Sequence, residues 1–249
     1  QQVRSDFVAN VTHELKTPLT SIRGFIDTLR RGAVRDPEVV SRFLDIIDIE
    51  AERLHALISD ILTLSEIESS QDVQDREAMD LTALVDDVLV LLDEAASRRR
   101  VTLVNGPPPA GGKPDGAAGE TAIGSDEEAV PEPFPIRANR LRIHQLLMNL
   151  VDNAVKYNRE GGTVWIWGER ALGGRVTLHV RDDGPGIEPE HQSRIFERFY
   201  RVDRGRSREM GGTGLGLAIV KHIAQLYRGA VSVESVPGQG AEFLVSLEV

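Results

Sequence analysis

Residues 11–20 read VTHELKTPLT, and the register of this stretch decides the fold of the first part of the chain. Val8, Val11, Leu15, Ile22, Phe25 and Leu29 recur at alternating steps of three and four, with Pro18 at the remaining seam position. This spacing predicts an amphipathic helix, kinked where the proline removes an amide donor. His13 falls on the side opposite the seam, facing solvent, and Thr17 follows one turn further along that side.

Reading outward, Gly32 suits the end of this helix, and Asp36-Pro37 suits the start of another, as a capping carboxylate followed by proline at the first helical position. The second helix carries Val40, Phe43, Ile47, Leu54, Leu57, Ile61 and Leu64 at the same spacing, and Leu44, Ala51 and Ile58 widen its apolar stripe. A single hairpin cannot bury so wide a stripe on both arms. A second copy completing a four-helix bundle solves the problem, so the sequence predicts a homodimer. Residues 69–77 are polar and read as a linker or a frayed helix end.

A different pattern follows. Leu84, Val88, Leu91 and Leu92 mark a helix over Leu81 to Arg98, and another runs from about Arg140 to Asn158. TVWIWGE and RVTLHVR alternate as strands joined through Leu172-Gly173-Gly174, and a helix near Leu215 to Tyr227 leads to two last strands, AVSVES and AEFLVSLEV. Between residues 105 and 135 lie seven of the twelve prolines and six acidic residues against one lysine, half of the net charge of −10. Such a segment cannot offset its ordering entropy by apolar burial and reads as a flexible insert. The expectation is two domains: a helical hairpin over 1–72 and an α/β domain over 73–249.

Composition narrows the function. A net charge of −10 argues against a nucleic-acid surface, which needs clustered Lys and Arg. The chain has no cysteine, which excludes disulfides and thiolate metal sites. No apolar run reaches the ~20 residues that span a bilayer. The opening QQVRSDF, without Met and already in helical register, reads as part of a longer protein, with any membrane anchor upstream.

An exposed histidine on a polar helix face is ordinarily just solvated. His13, however, is followed by Glu14, which can hold one ring nitrogen protonated while the other attacks an electrophile. On the helix before Asn158, Asn149, Asn153 and Lys156 form a polar row opposite Leu146, Leu147, Leu150 and Ala154. Amide oxygens and an ammonium in a row can hold a divalent cation and phosphate oxygens together. Asp182 to Gly186 read DDGPG at a strand end, where a carboxylate can accept from the exocyclic amine of adenine but repels the carbonyl of guanine. Gly211, Gly212, Gly214 and Gly216 precede an apolar helix, whose N-terminal amides suit phosphate. The run is neither a Walker A loop nor a dinucleotide fingerprint. His55, His144, His179, His191 and His222 show no ligand spacing and are read as structural.

Taken in order, HELKTPLT, NLVDNAVKYN, RDDGPGI, IFERFYR and GGTGLGLAIV resemble the boxes of sensor histidine kinase cores over nearly the whole chain. The opening RSDFVANVTHELKTPLTSIRGF is most similar to PhoR-type phosphate-regulon sensors. The resemblance implies a dimerising hairpin followed by an α/β sandwich of the gyrase and heat-shock-chaperone ATPase type. It implies autophosphorylation of His13 from Mg-ATP with Glu14 as acid/base partner, transfer to an aspartate of a response regulator receiver domain, and dephosphorylation of that regulator aided by Thr17. It assigns ATP binding to Asn149, Asn153, Lys156, Tyr157, Asp182, Gly184, Gly186 and Ile187, with Asn153 as the Mg2+ ligand. Phe196 and Phe199 would anchor an ATP lid over VDRGRSREM, and Gly212, Thr213, Gly214, Leu215, Gly216 and Leu217 would meet the nucleotide. Gly238 and Gly240 match the last glycine box. It also implies a cytoplasmic portion of a membrane-anchored sensor. A plain ATPase would keep the pocket without HELKT, and a dimeric scaffold would keep the hairpin without the pocket.

Overall fold

The computed structural model describes residues 2–31, 37–70, 75–109, 133–171, 173–203, 205 and 211–249, with the side chains of 2–6 left aside. Gly32, Asp36, Leu172, most of the 105–135 insert, residues 71–74 of the expected linker and most of VDRGRSREM lie outside them. The chain falls into two compact units, Gln1–Ser69 with Ile195–Ile219, and Ser70–Arg194 with Val220–Val249.

In the first unit, α1 (Gln2–Arg30) and α2 (Pro37–Ser69) pair along their length. Helix α1 continues through Pro18, which is buried and supplies no amide to the Glu14 carbonyl. Val11, Leu15, Ile22, Phe25 and Leu29 are half-buried on the seam, and Leu57, Leu64 and Ile67 are buried from α2. Val8 departs from the expectation and is exposed. Leu44, Ala51 and Ile58, which widen the stripe, face outward, as do Leu19, Ile26, Ile49 and Leu62.

The second unit is built on a five-stranded sheet. Its strands are β2 (Thr102–Asn105), β4 (Thr163–Arg170), β5 (Arg175–Asp182), β6 (Ala230–Ser235) and β7 (Ala241–Glu248), in the order β2-β4-β5-β7-β6. Only β2 and β4 are parallel among its pairs. Alternation puts Val164 and Ile166, Val176, Leu178 and Val180, and Phe243, Val245 and Leu247 on one buried face. Against this sheet lie α3 (Leu81–Arg98) and α4 (Arg140–Tyr157). A short helix α5 (Pro189–Gln192) follows β5, and α6 (Gly216–Leu226) precedes β6.

Two caps fix the long helices. Asp80 accepts from the Thr82 amide at the start of α3, and Asn139 accepts from Arg142 at the start of α4. The fully buried Tyr227 takes the Asn139 amide on its hydroxyl, which ties the cap of α4 to the end of α6.

Three strands were not anticipated: β2, and the pair β1 (Glu77–Asp80) and β3 (Pro135–Ala138), which forms a separate antiparallel sheet. They flank or enter the segments read as linker and insert. Leu91, placed on the apolar face of α3 from sequence, is instead 61% exposed, and Val85 fills that face.

Candidate active site

Helix α1 holds His13 outward, with 72% of its side chain exposed, while Glu14 is tucked in at 16%. The Nδ1 atom of His13 lies 3.9 Å from Glu14 Oε1. The other carboxylate oxygen, Oε2, faces two guanidiniums, Arg53 of α2 at 3.6 Å and Arg201 at 3.4 Å. Thr17 donates its hydroxyl to the His13 carbonyl at 3.1 Å, the same back-bond that Thr12, Thr20 and Thr28 make on this helix. A groove of about 790 Å3 opens here, lined by His13, Lys16, Thr17, Thr20, Phe25 and Phe43 among others.

The glycine run belongs to the same compact unit as the hairpin. Thr213 donates to Asp60 of α2 at 2.6 Å and accepts from the Leu215 amide at 3.2 Å, just before α6 begins at Gly216. Phe199, with a left-handed φ of 62°, donates its amide to the Gly214 carbonyl at 2.8 Å. Gly214 itself has φ 75°, and a Cβ there would sit 3.0 Å from the Phe199 Cα, so the two backbones require a glycine at their closest approach. The Phe199 ring packs 6.0 Å from Phe7 of α1, Arg198 covers the other approach to Phe7 at 5.0 Å, and Arg198 also pairs with Glu68 of α2. Phe196 is half-buried and Leu215 buried, while Gly212 and Leu217 are partly accessible.

In the second unit, Asn149, Asn153 and Lys156 lie along the border of the α4 core, partly exposed, and Tyr157 is 38% exposed. Asn149 spends its amide N–H on the Gln145 carbonyl at 2.8 Å, which leaves its oxygen as an acceptor. Lys156 is held by Asp152 at 2.7 Å. The DDGPG turn separates two neighbouring carboxylates by environment. Asp183 is structural: it accepts from the Thr163 amide at 2.7 Å and pairs with Arg159 at 2.8 Å. Asp182 is buried and accepts from the backbone amides of Gly184, at 2.9 Å, and Ala241. Burial pushes its carboxyl up from the ordinary 3.8 to about 6, against the lowering effect of those two hydrogen bonds.

Close packing explains the glycines of this turn. A Cβ at Gly184 would crowd Asp182 and Asn158, and one at Gly186 (φ 71°) would overlap the Val236 carbonyl. Ile187 donates its amide to Ser235 at 2.8 Å, and Ser235 donates in turn to the Gly240 carbonyl at 2.7 Å. The buried Asn158, at the end of NLVDNAVKYN, donates to the Thr163 carbonyl and accepts from the Arg159 amide, which ties the end of α4 to the start of β4 beside the DDG turn.

The donor set suits magnesium arriving with a nucleotide. Among the described residues no group of three or more His, Asp or Glu could hold a metal ion. Asn153 and Asn149 could offer only neutral oxygen ligands, so a hard cation held here would need phosphate and water to complete its coordination.

Sequence reading missed Arg53, Asp60, Arg201 and Asn158. The first three carry no local signal, because their roles arise from partners far along the chain. Asn158 is a buried amide at a helix end, and its position inside NLVDNAVKYN was the available clue.

Residues 3–70 match the family described as His Kinase A (phospho-acceptor) domain, and residues 138–249 that described as histidine kinase-, DNA gyrase B-, and HSP90-like ATPase. The sensor-like histidine kinase SenX3 of Mycolicibacterium smegmatis is 36% identical over 247 residues, covering 99% of this chain and 58% of that protein. The chain thus spans little more than half the length of this relative. Among solved structures, histidine kinase ThkA in complex with response regulator protein TrrA matches with a TM-score of 0.71 and 25% identity, over 99% of this chain and 62% of that one. Full-length ShkA in complex with AMPPNP matches with a TM-score of 0.64 and 27% identity, over 98% and 45%. Among the described residues, no helix is long and apolar enough to cross a membrane.

Proposed function

Because the chain belongs to the histidine kinase family, carrying both its phospho-acceptor and its ATPase domain, we propose that it phosphorylates its own His13 from ATP and passes the phosphoryl group to an aspartate of a response regulator. One observation carries this reading: an outward imidazole whose Nδ1 faces a half-buried carboxylate. With the Nδ1 proton directed at Glu14, Nε2 keeps its lone pair for attack. The Nε2–P bond forms as the bond from the γ-phosphorus to the bridging oxygen breaks. ADP leaves with that electron pair, and Glu14 takes up the Nδ1 proton as the 3.9 Å separation closes to a hydrogen bond.

We assign the hairpin of 1–72 to dimerisation and phosphotransfer, and 73–249 to ATP binding. Asp182 accepts from the adenine amine, which returns a hydrogen bond to its buried carboxyl. Asn149, Lys156 and Tyr157 act on the phosphate and sugar side, Ile187 joins the ATP-binding set beside Asp182, and Gly184 and Gly186 permit close approach. Gly212, Thr213, Gly214, Leu215, Gly216 and Leu217 offer the amides of the glycine run, and Phe196 and Phe199 anchor it by packing. Asn153 would hold Mg2+, which when bound would supply charge neutralisation at the phosphate oxygens. Thr17, with its donor engaged on the His13 carbonyl, acts as an acceptor for a water that hydrolyses the regulator's phosphoaspartate. The protein acts as a homodimer, and we place this chain on the cytoplasmic side of a membrane-anchored sensor.

Incubation with ATP radiolabelled at the γ-phosphate tests the proposal. The label should survive alkali, be lost in acid, and be absent from His13→Gln, which should still bind ATP. Phosphate release without protein labelling would make the chain a plain ATPase.

A further inference from the structure

We infer that Arg53 is a positioning residue for phosphorylation, because it anchors one oxygen of Glu14 so that the other is presented to His13. The inference rests on the reading that His13 is the phosphoacceptor. The two oxygens of Glu14 have separate surroundings: Oε1 faces His13 Nδ1, and Oε2 faces the guanidiniums of Arg53 and Arg201.

These two arginines differ in what else they serve. Arg53 is carried by α2, directly across the hairpin from Glu14, with only 10% of its side chain exposed. Its second nitrogen lies 3.9 Å from Glu50, whose Oε2 is buried and makes no hydrogen bond. One guanidinium therefore neutralises two inward carboxylates, and leaving either would strand a charge out of water. Arg201 stands beside the glycine run, where its Nε would lie 3.2 Å from a Cβ on Gly214. A polyphosphate at that run competes with Glu14 for Arg201, whereas Arg53 has no such rival. Arg53 is thus the anchor that persists when nucleotide is bound.

The chemical consequence lies in the tautomer. A neutral imidazole left to water carries its proton mainly on Nε2, which occupies the lone pair that must attack phosphorus. A carboxylate fixed at Nδ1 reverses that preference. With Arg53 removed and Arg201 drawn to the polyphosphate, both guanidiniums that hold Oε2 are withdrawn, and Oε1 is no longer kept on Nδ1.

The test uses Arg53→Met, Arg53→Lys and the double variant Arg53→Met/Glu50→Gln, which removes the second inward acid and preserves folding. Two quantities are read on the whole chain: autophosphorylation kcat against the KM for ATP, and the imidazole tautomer of His13 from nitrogen-15 NMR with a non-hydrolysable ATP analogue bound. In both Met variants, kcat should fall by about tenfold or more, while KM stays within about twofold. The His13 signal should move from the Nδ1–H towards the Nε2–H form, and Arg53→Lys should recover much of both. An unchanged kcat, an unchanged tautomer, or a loss confined to KM in the double variant would overturn the inference. A label that persists in His13→Gln would instead remove the phosphoacceptor reading, so the two failures are distinct.

Discussion

Asp182 and Asp183 are adjacent and chemically identical, and the fold gives them opposite fates. Asp183 has a guanidinium and a backbone amide to itself, so its charge is compensated within the protein. Asp182 has two backbone amides and only a small lowering pull from Arg181, and burial raises its carboxyl to about 6. Since the folded value lies above the unfolded one, its favourable contribution is complete below pH 3.8 and is lost as pH rises through 6. At neutral pH the ionised group costs the nucleotide-free protein on the order of 3 kcal/mol. Asp182→Asn should therefore raise the Tm of the nucleotide-free protein at pH 7.5, with the gain shrinking towards pH 4, while weakening ATP binding by about tenfold or more. Calorimetric melts across pH and nucleotide titrations check both halves. Such a cost to stability fits the role in adenine binding proposed for Asp182. The sequence pointed to Asp182 through the DDGPG string, but the contrast with Asp183 depends on Arg159 and Thr163, which only folding brings near.

Among the elements, those with a long periodic signature were legible. Helices α3 and α4 and strands β4 to β7 fall where alternation and three-four spacing put them. Strands β1, β2 and β3 were not legible because four residues are too few to establish a period, and each gains its identity only by pairing. The glycines divide in the same way. Gly240, at φ 87°, approaches the Asp182 carbonyl so closely that any Cβ would overlap it, whereas Gly238, at φ 81°, has open space around the same position. Gly240→Ala should cost well over the ~2 kcal/mol typical of a left-handed alanine and should displace the Asp182 carboxylate, weakening ATP binding as well if that carboxylate holds adenine as proposed. Gly238→Ala should pay only the backbone term and leave affinity nearly unchanged. Chemical denaturation of the two variants side by side separates conformational strain from collision.

For the whole molecule, the first unit exposes Leu19, Ile26, Leu44, Ile49, Ile58 and Leu62, with Ile49 and Leu62 each about three-fifths accessible. So many large apolar side chains on one hairpin are the mark of an association surface. Ile58→Glu should dissociate the proposed dimer without unfolding the hairpin, giving a monomeric mass by light scattering at micromolar concentration and a large loss of helical thermal stability. If the unsubstituted chain were itself monomeric at that concentration, the four-helix arrangement would be wrong.

The bond from Thr213 to Asp60, together with the contacts of Phe199 and Arg198 to Phe7 and Glu68, gives the hairpin a mechanical grip on the glycine run. Rotation of α2 about its own axis swings Asp60 and Glu68 and pulls on that run through side chains a few bonds long. A displacement of α2 at that end would thus reach the run directly through these side chains.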